Sequence, residues 1–110
     1  MHVLFVTSEV AGAFKLGGLA DVSRSLPQAL VAEGHDVTVA MPFYESVDVT
    51  GATGVGKLAV DFAKKREIVF LFQKPLSPSG GTLLLFRHPR LNAYKKDPIT
   101  ETFAFFSVCI

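Results

Sequence analysis

A lysine followed by a pair of glycines, close to the amino terminus, is the part of the sequence best suited to chemistry. Lys15 lies two residues before Gly17 and Gly18, and a helix-forming pattern starts directly after them. The start of a helix presents unpaired backbone N–H groups and the positive end of the helix dipole, so it attracts anions, phosphates above all. The glycines let a phosphate approach the backbone, and the lysine adds a mobile cation. The arrangement therefore suits a diphosphate.

The same residues fit a second interpretation, a tight turn beside a solvated lysine. The two glycines are adjacent, unlike those of the GxGxxG fingerprint, and the lysine precedes them, unlike that of the GxxxxGK[ST] loop. From the turn alone the plain turn is favoured, although ligands tend to bind at the carboxyl ends of parallel strands. The local pattern leaves both interpretations open.

The elements that must position this turn form a βαβ unit. Residues 3–6 and 37–41 are short apolar runs without alternation, typical of strands buried on both faces of a parallel sheet. Between them, apolar residues recur at steps of three and four from Leu19 to Leu30, and Gly34 follows as a helix stop. Pro27 interrupts this run, so we expect a kink or a helix in two pieces. The pattern predicts an α/β fold.

The exact residues resemble a known family. The sequence contains Ser8-Glu9, then KLGGLADV at residues 15–22, then LPQAL at residues 26–30. This order is similar to the N-terminus of bacterial glycogen synthases and plant starch synthases, which combine Ser-Glu, a Lys-x-Gly-Gly-Leu-x-Asp-Val turn and a helix carrying Leu-Pro-x-x-Leu. GHDV at residues 34–37 and Met-Pro at 41–42 also look like that family. The resemblance is strong over about the first 42 residues and weaker after them.

The resemblance implies a fold and a reaction. The expected fold class is α/β, a Rossmann-like parallel sheet with an antiparallel hairpin, forming the first portion of the N-terminal domain of a GT-B fold. Such enzymes transfer glucose from ADP-glucose, less often UDP-glucose, to the non-reducing end of an α-1,4-glucan, with retention at the anomeric carbon. The implied partners are a sugar nucleotide and an α-1,4-glucan. We expect no cofactor beyond the donor substrate and no metal.

The resemblance also assigns substrate-binding residues. The family lysine near the donor diphosphate corresponds to Lys15, and the backbone that approaches the sugar phosphate corresponds to Gly17 and Gly18. Glu9 and Asp21 match family positions at the rim of the cleft. Asp21 also has a simpler interpretation, since a carboxylate in the first turn of a helix is stabilised by the dipole. The family usually has threonine where this chain has Leu16. The leucine therefore removes one hydroxyl beside the phosphates.

Length limits what the chain does alone. At 110 residues it is about one small domain, so we expect residues 1–110 to be a single partial Rossmann-like domain, with the catalytic residues beyond residue 110. We expect no transferase activity without the missing remainder of the enzyme, and self-association through uncovered apolar surface. Two other classes stay open. One is a free-standing phosphate- or nucleotide-binding module, and the other is a non-catalytic interaction domain.

Composition limits the possible partners of the protein and its cell compartment. A formal net charge of +1 argues against nucleic acid and anionic membrane as partners, and no apolar run approaches the length of a membrane span. A cytoplasmic protein is expected, or a plastid one in a plant homologue, although no transit peptide is evident. The single cysteine, Cys109, excludes an internal disulfide and a zinc site built on several thiolates, and burial is its expected role.

The rest of the chain is predicted to continue the sheet. We expect a loop at 43–56, a hairpin joining 57–62 to 67–73 around a basic turn at 63–66, a turn at 75–81 and a strand at 82–87. A helix is predicted to start with Thr100 as its cap.

Three side-chain groups in this part have a functional and a plain interpretation. Tyr44 could approach a glucan, the basic turn could bind phosphate, and His88 follows a strand end where ligands gather. Burial of the tyrosine, solvation of the basic turn and a structural or solvated histidine are favoured, because aromatic residues mostly bury and His88 matches no metal motif.

Overall fold

The structure, a computed structural model, describes residues 1–10, 17–44, 47, 50–89, 91, 106, 109 and 110. The regular elements of this part follow one another along the chain as β1 (His2–Val6), α1 (Gly18–Ala32), β2 (Asp36–Pro42), β3 (Thr53–Phe62), β4 (Lys65–Ser77) and β5 (Gly80–Arg87). The predicted helix start at Thr100 lies outside the described residues.

The described strands form one mixed sheet in the order β1-β2-β5-β4-β3. β1 pairs with β2, and β2 with β5, in parallel. β4 runs antiparallel to both β5 and β3. The predicted parallel sheet with an antiparallel hairpin at its edge is therefore confirmed. The parallel strands require crossovers, and α1 supplies the first one.

Apolar cores lie on both faces of the sheet. The first face is covered by α1, and its buried residues include Val37, Val39 and Met41 of β2, together with Leu83 and Leu85 of β5. The second face carries another set of buried residues, namely Ala40, Val60, Val69, Phe86, Leu91, Phe106 and Cys109. Because β2 contributes to both cores, its sequence is apolar at nearly every position, as expected of a central parallel strand.

α1 is one continuous helix, so the alternative of two pieces is wrong. Pro27 lies fully buried inside it. The helix ends as predicted, since Gly34 adopts φ 92° and its N–H donates to the carbonyl of Val31 at 3.0 Å.

Only part of the apolar stripe that predicted α1 is buried, since Leu30 packs against the first core. Leu19, Val22 and Leu26 are 51%, 54% and 47% exposed, whereas Ala20 and Ser23 are fully buried. The small residues face the sheet, because they allow α1 to approach it closely. The three exposed apolar side chains are left on the side of the helix.

The strands of the hairpin are longer than the sequence indicates. β3 begins at Thr53, so the last residues of the predicted 43–56 loop belong to the sheet. A register shift between Gly54 and Gly56 accommodates these glycines as a bulge on an edge strand.

The predicted turn at 75–81 is also shorter than expected. β4 continues to Ser77, and only residues 78 and 79 form the turn before β5. Pro75 is tolerated because it lies beyond the paired part of β3, where β4 has β5 as its neighbour. Gly81 adopts φ 82°, and a Cβ there would lie 2.9 Å from the Leu76 side chain.

The β3–β4 hairpin closes through two residues that have side chains. Phe62 pairs with Lys65, and the intervening Ala63 and Lys64 have φ values of 52° and 64°. This left-handed conformation at both central positions is that of a type I′ turn, which asparagine and glycine adopt at lower cost. The predicted basic turn at 63–66 is therefore reduced to two residues.

We predict that replacing this turn by Asn-Gly stabilises the protein. The double variant Ala63→Asn, Lys64→Gly removes steric strain in the left-handed region and should raise the free energy of unfolding by about 1–2 kcal/mol. Urea denaturation followed by circular dichroism measures this. Lys65→Gly makes the same chemical change one residue later, inside β4, and should destabilise. Equal effects of the double variant and of Lys65→Gly on the free energy of unfolding would contradict the turn assignment.

Cys109 lies in the second core, where it is 6% exposed, so its predicted burial is confirmed. Desolvation by burial raises the pKa of its thiol from 9.0 to about 11. The folded state therefore keeps the proton at pH values at which the unfolded chain has already lost it. The resulting contribution to stability is complete below pH 9 and decreases as the pH rises towards 11.

We predict slow thiol chemistry in the folded protein. At pH 8 an alkylating reagent should modify native Cys109 at least about tenfold more slowly than the urea-unfolded chain, because the native thiol is buried and protonated. Between pH 9 and 11 the native protein should lose more stability than Cys109→Ala does. Mass spectrometry and urea titrations provide the measurements, and equal labelling rates in the two states would refute the buried thiol.

Candidate functional site

The candidate site lies at the carboxyl ends of the parallel strands, where β1 leads towards α1. Just after β1, the Thr7 N–H donates to the carbonyl of Ala40 at 3.0 Å and extends the β1–β2 ladder by one residue. The Thr7 hydroxyl lies 2.8 Å from the Ser23 hydroxyl and donates to the Glu9 carbonyl at 3.1 Å. A hydroxyl has one proton, so Ser23 is then the donor to Thr7. These buried contacts fix α1 over the end of β1.

Glu9 reaches the first turn of α1. Its side chain is 4% exposed, and its Oε1 accepts a hydrogen bond from the backbone N–H of Ala20 at 2.9 Å. The N-cap residue, Gly17, supplies no side-chain hydrogen bond, so the Glu9 carboxylate caps the helix in its place. The negative charge also lies favourably at the positive end of the helix dipole. Sequence reasoning placed Glu9 at the rim of a cleft but did not find this contact.

This contact changes what the start of the helix offers to an anion. The Ala20 amide already has a carboxylate partner and a weaker one in the Gly17 carbonyl, 3.3 Å away. An anion bound at the helix start would therefore have to use the amides of Gly18 and Leu19, next to a negative charge. A nearby cation would have to offset that charge, and Lys15 is the residue predicted for this role.

Gly17 and Gly18 are exposed at the start of α1. Gly17 has φ −160°, an extended conformation that any residue adopts. A Cβ on Gly18 would meet nothing within 4 Å, and one on Gly17 would meet the Glu9 carboxylate at 4.0 Å. Neither backbone strain nor the described neighbouring atoms require glycine here. The space beside these residues is therefore open to a group outside the described part.

The structure brings Glu9, Gly17, Gly18 and Asp21 to the same end of α1. Asp21 is exposed in the first turn, as predicted from its favourable place against the helix dipole. Its backbone carbonyl accepts a hydrogen bond from the Ser25 hydroxyl. The remaining predicted site residue, Lys15, lies outside the described residues, as does Leu16.

Tyr44 has the structural role favoured by its sequence context. It is 2% exposed, and its hydroxyl donates to the carbonyl of Ser8 at 3.1 Å. The ring therefore contributes to the first core, and the hydroxyl ties the segment after β1 to the segment after β2.

His88 also has a structural role. Its Nε2 lies 3.0 Å from Oε2 of Glu67, and the two side chains are 9% and 20% exposed. The pair links the end of β5 to β4. Because both side chains are mostly buried, little of either is accessible to a ligand. The favoured interpretation of the basic turn, solvation, agrees with the structure, since Arg66 pairs with Asp61 at 3.4 Å and both side chains are largely exposed.

A polar hollow of about 230 Å³ lies elsewhere, at the amino end of β5. It is lined by Gly51, Thr53, Gln73, Lys74, Pro75, Gly81 and Thr82. Its position is opposite to the end of the sheet that carries Glu9 and the start of α1. Among the residues that the structure describes, no cluster of three histidine, cysteine or acidic side chains is placed to hold a metal ion. No helix in the described part is long and apolar enough to cross a membrane.

Comparison with known proteins identifies the family. A family model described as the starch synthase catalytic domain matches residues 2–110. The chain belongs to this family. Among its curated relatives, the starch synthase family member from Cellvibrio japonicus, named glycogen synthase, is 46% identical over 99 residues, which are 89% of this chain and 21% of that protein. The glycogen synthase of Kosmotoga olearia is 37% identical over 92 residues, or 83% of this chain and 19% of that protein.

A solved structure of the same family confirms the fold. The catalytic domain of starch synthase IV from Arabidopsis thaliana, bound to ADP and acarbose, superposes with a TM-score of 0.85 at 23% sequence identity. The match covers 98% of this chain and 24% of that domain. The expected class, the first portion of the N-terminal domain of a GT-B fold, is confirmed. The chain spans about a fifth of the two curated relatives and a quarter of this domain.

The Glu9 contact leads to a stability prediction. Glu9→Ala removes the acceptor for the Ala20 amide and should lower the free energy of unfolding by about 1–2 kcal/mol, whereas Glu9→Gln keeps an oxygen acceptor and should cost about half as much. Urea titration measures both. Glu33→Gln alters an exposed carboxylate at the other end of α1 and should change little. Equal stability of Glu9→Ala and the native protein would exclude the capping role.

Proposed function

We propose that this chain is the N-terminal part of a synthase that transfers glucose from ADP-glucose to the non-reducing end of an α-1,4-glucan, with retention and with UDP-glucose as a lesser donor. The observation that carries the proposal is the family match over residues 2–110, combined with the exposed backbone of Gly17 and Gly18 at the carboxyl ends of the parallel strands. The relative whose structure contains ADP and acarbose supports a nucleotide and a glucan as ligands.

The proposed roles follow from charge and access at the start of α1. Lys15 neutralises the donor diphosphate, and the exposed backbone at Gly17 and Gly18 approaches the sugar phosphate. As the glucosyl bond breaks, negative charge grows on the diphosphate, which is stabilised by oriented amides and a cation that are already in place. Asp21 lies at the rim. Glu9 is a predicted rim residue as well, and its buried contact with Ala20 supports an orienting role.

Residues 1–110 form, in this proposal, a single partial Rossmann-like domain. The donor carries its own leaving group, so the transfer needs no cofactor and uses no metal. The groups that act on the anomeric carbon belong to polypeptide outside this chain, which spans only about a fifth of the curated relatives described above. The chain alone is therefore inactive and becomes part of a working site when the remainder of the enzyme is present.

Calorimetric titration with ADP-glucose, a maltooligosaccharide and inorganic phosphate tests the binding half of this proposal. We expect ADP-glucose to bind more tightly than phosphate and Lys15→Ala to weaken that binding by about tenfold or more, because the variant loses a cation beside the diphosphate. Lys64→Ala, which removes an exposed lysine at the hairpin tip, is the matched control and should bind as the native chain does. An equal response to any phosphate, lost in Lys15→Ala, would indicate a simple phosphate-binding module instead.

A transfer assay tests the catalytic half. Incubated with radiolabelled ADP-glucose and glucan, the chain alone should incorporate no label, whereas a protein in which the remainder of a relative follows residue 110 should extend the glucan. Glucan extension by the chain alone would refute the proposal that the groups acting on the anomeric carbon lie outside residues 1–110. No extension by the longer protein, despite a folded state, would refute the proposed reaction.

A further inference from the structure

Two buried hydroxyl groups join the end of β1 to α1, and neither belongs to the predicted site residues. Ser23 is fully buried, Thr7 is 7% exposed, and their hydroxyl oxygens lie 2.8 Å apart. We propose that Thr7 and Ser23 are positioning residues of the donor site, which act through Glu9 to hold the first turn of α1 in the orientation that meets the sugar nucleotide. This inference rests on the proposed function and assigns two further residues to the same site.

The Thr7 hydroxyl organises the backbone of Glu9. It donates a hydrogen bond to the Glu9 carbonyl at 3.1 Å and accepts a longer one from the Glu9 N–H at 3.4 Å. Its remaining acceptor site takes the proton of the Ser23 hydroxyl. These contacts use the whole capacity of a hydroxyl, one donor and two acceptor sites, so Thr7 has no hydrogen bond left for a ligand. Its role in the site is therefore indirect.

Glu9 and Thr7 attach α1 to this segment at two points. Oε1 of Glu9 accepts a hydrogen bond from the Ala20 N–H at 2.9 Å, and the Ser23 hydroxyl donates to Thr7. Ala20 and Ser23 are three positions apart and lie on the same face of the helix. We call Thr7, Glu9, Ala20 and Ser23 the helix clamp. One contact would leave the helix free to rotate about it, whereas two buried contacts fix both the position and the rotation of its first turn.

The segment that carries the helix clamp is itself held to β2 and to the residues just after it. The Thr7 N–H donates to the carbonyl of Ala40 in β2 at 3.0 Å, and the Tyr44 hydroxyl donates to the carbonyl of Ser8 at 3.1 Å. Ala40 is fully buried and Tyr44 is 2% exposed. Because both contacts are made to buried groups, residues 7–9 have a fixed place relative to the sheet. The helix clamp therefore sets the start of α1 relative to the carboxyl ends of the strands.

The start of α1 depends on the helix clamp because its N-cap residue contributes no side chain. Gly17 supplies no side-chain hydrogen bond, and helix ends without a cap fray. The amides of Gly18 and Leu19, which remain for the donor phosphates, lie between this N-cap and the clamped Ala20. Amides that are ordered before binding lose less conformational freedom when the ligand arrives, and they stabilise growing negative charge better. Breaking the clamp should therefore weaken donor binding without removing a ligand contact.

Calorimetric titration of the chain with ADP-glucose tests the positioning role. Thr7→Val keeps the shape of the side chain but removes the hydroxyl, whereas Thr7→Ser keeps the hydroxyl. Ser23→Ala removes the other hydroxyl and suits a helix, so it decides the test if Thr7→Val does not fold. Val69→Ala is the control for lost stability, because Val69 is fully buried in the second core, on the other face of the sheet. Each variant is titrated at a temperature at which circular dichroism shows it folded.

We expect Thr7→Val and Ser23→Ala to weaken ADP-glucose binding by about fivefold or more, because each variant breaks a hydrogen bond of the helix clamp. Thr7→Ser and Val69→Ala should bind within about twofold of the native chain. A chain that carries Glu9→Ala has already lost the contact through which Thr7 acts. Adding Thr7→Val to that chain should therefore weaken binding by less than about twofold.

Native affinity in Thr7→Val or Ser23→Ala, or a loss that Val69→Ala shares, would overturn the positioning role. So would a loss in Thr7→Ser as large as that in Thr7→Val, or an undiminished loss in the Glu9→Ala chain. Failure of the proposed function gives a different result, since the native chain would then bind no ADP-glucose or would bind inorganic phosphate equally well. That result would remove the donor site, and the positioning role with it.

Discussion

The structure depends on apolar packing against both faces of its parallel strands. A parallel strand exposes apolar side chains on both faces, and β2 is stable in the interior of the sheet because α1 and the first core lie on one side and the second core on the other. The positions of β5, of the hairpin and of the start of α1 follow from this arrangement. β5 gives β2 its second parallel neighbour, and the hairpin continues the sheet beyond it. The ends of β1, β2 and β5 then lie along one edge, where the candidate site is found.

Sequence patterns were sufficient where the physical cause is local. The apolar runs at 3–6 and 37–41 correspond to β1 and β2. A strand buried on both faces needs such a run, and few other short elements do. The stop at Gly34 followed from the left-handed conformation that glycine adopts readily. The family was recognisable from the order of the lysine, the glycines and the proline inside the helix. The spacing of these residues alone did not indicate a function.

Other features could not be predicted because their causes are distant in the sequence. The Glu9 cap on Ala20 joins residues eleven positions apart, and no local pattern announces it. The fully buried positions of α1 are Ala20, Ser23 and Pro27, whereas hydrophobic periodicity gives weight to large residues. The predicted stripe therefore included Leu30, which packs on the core, but missed the fully buried positions. The Ala63–Lys64 turn lacks the Asn-Gly signal, and the β4 pairing of Pro75 depends on where its neighbour ends. Lys15, the residue most important to the proposed chemistry, lies outside the described part and remains a prediction.

The two halves of the sheet have different consequences for folding. β3, β4 and β5 are neighbours both along the chain and in space, so their pairing closes only short loops and can start early. β2, however, meets β5 across the whole length of the hairpin, and Thr38 must find Thr82. During synthesis β1, α1 and β2 emerge first, before β5, the strand that pairs with β2, has been made. The ribosome thus releases the end of the molecule that carries the candidate site before the strand that completes its support, and this interval is the stage at which the nascent chain is most open to misassociation.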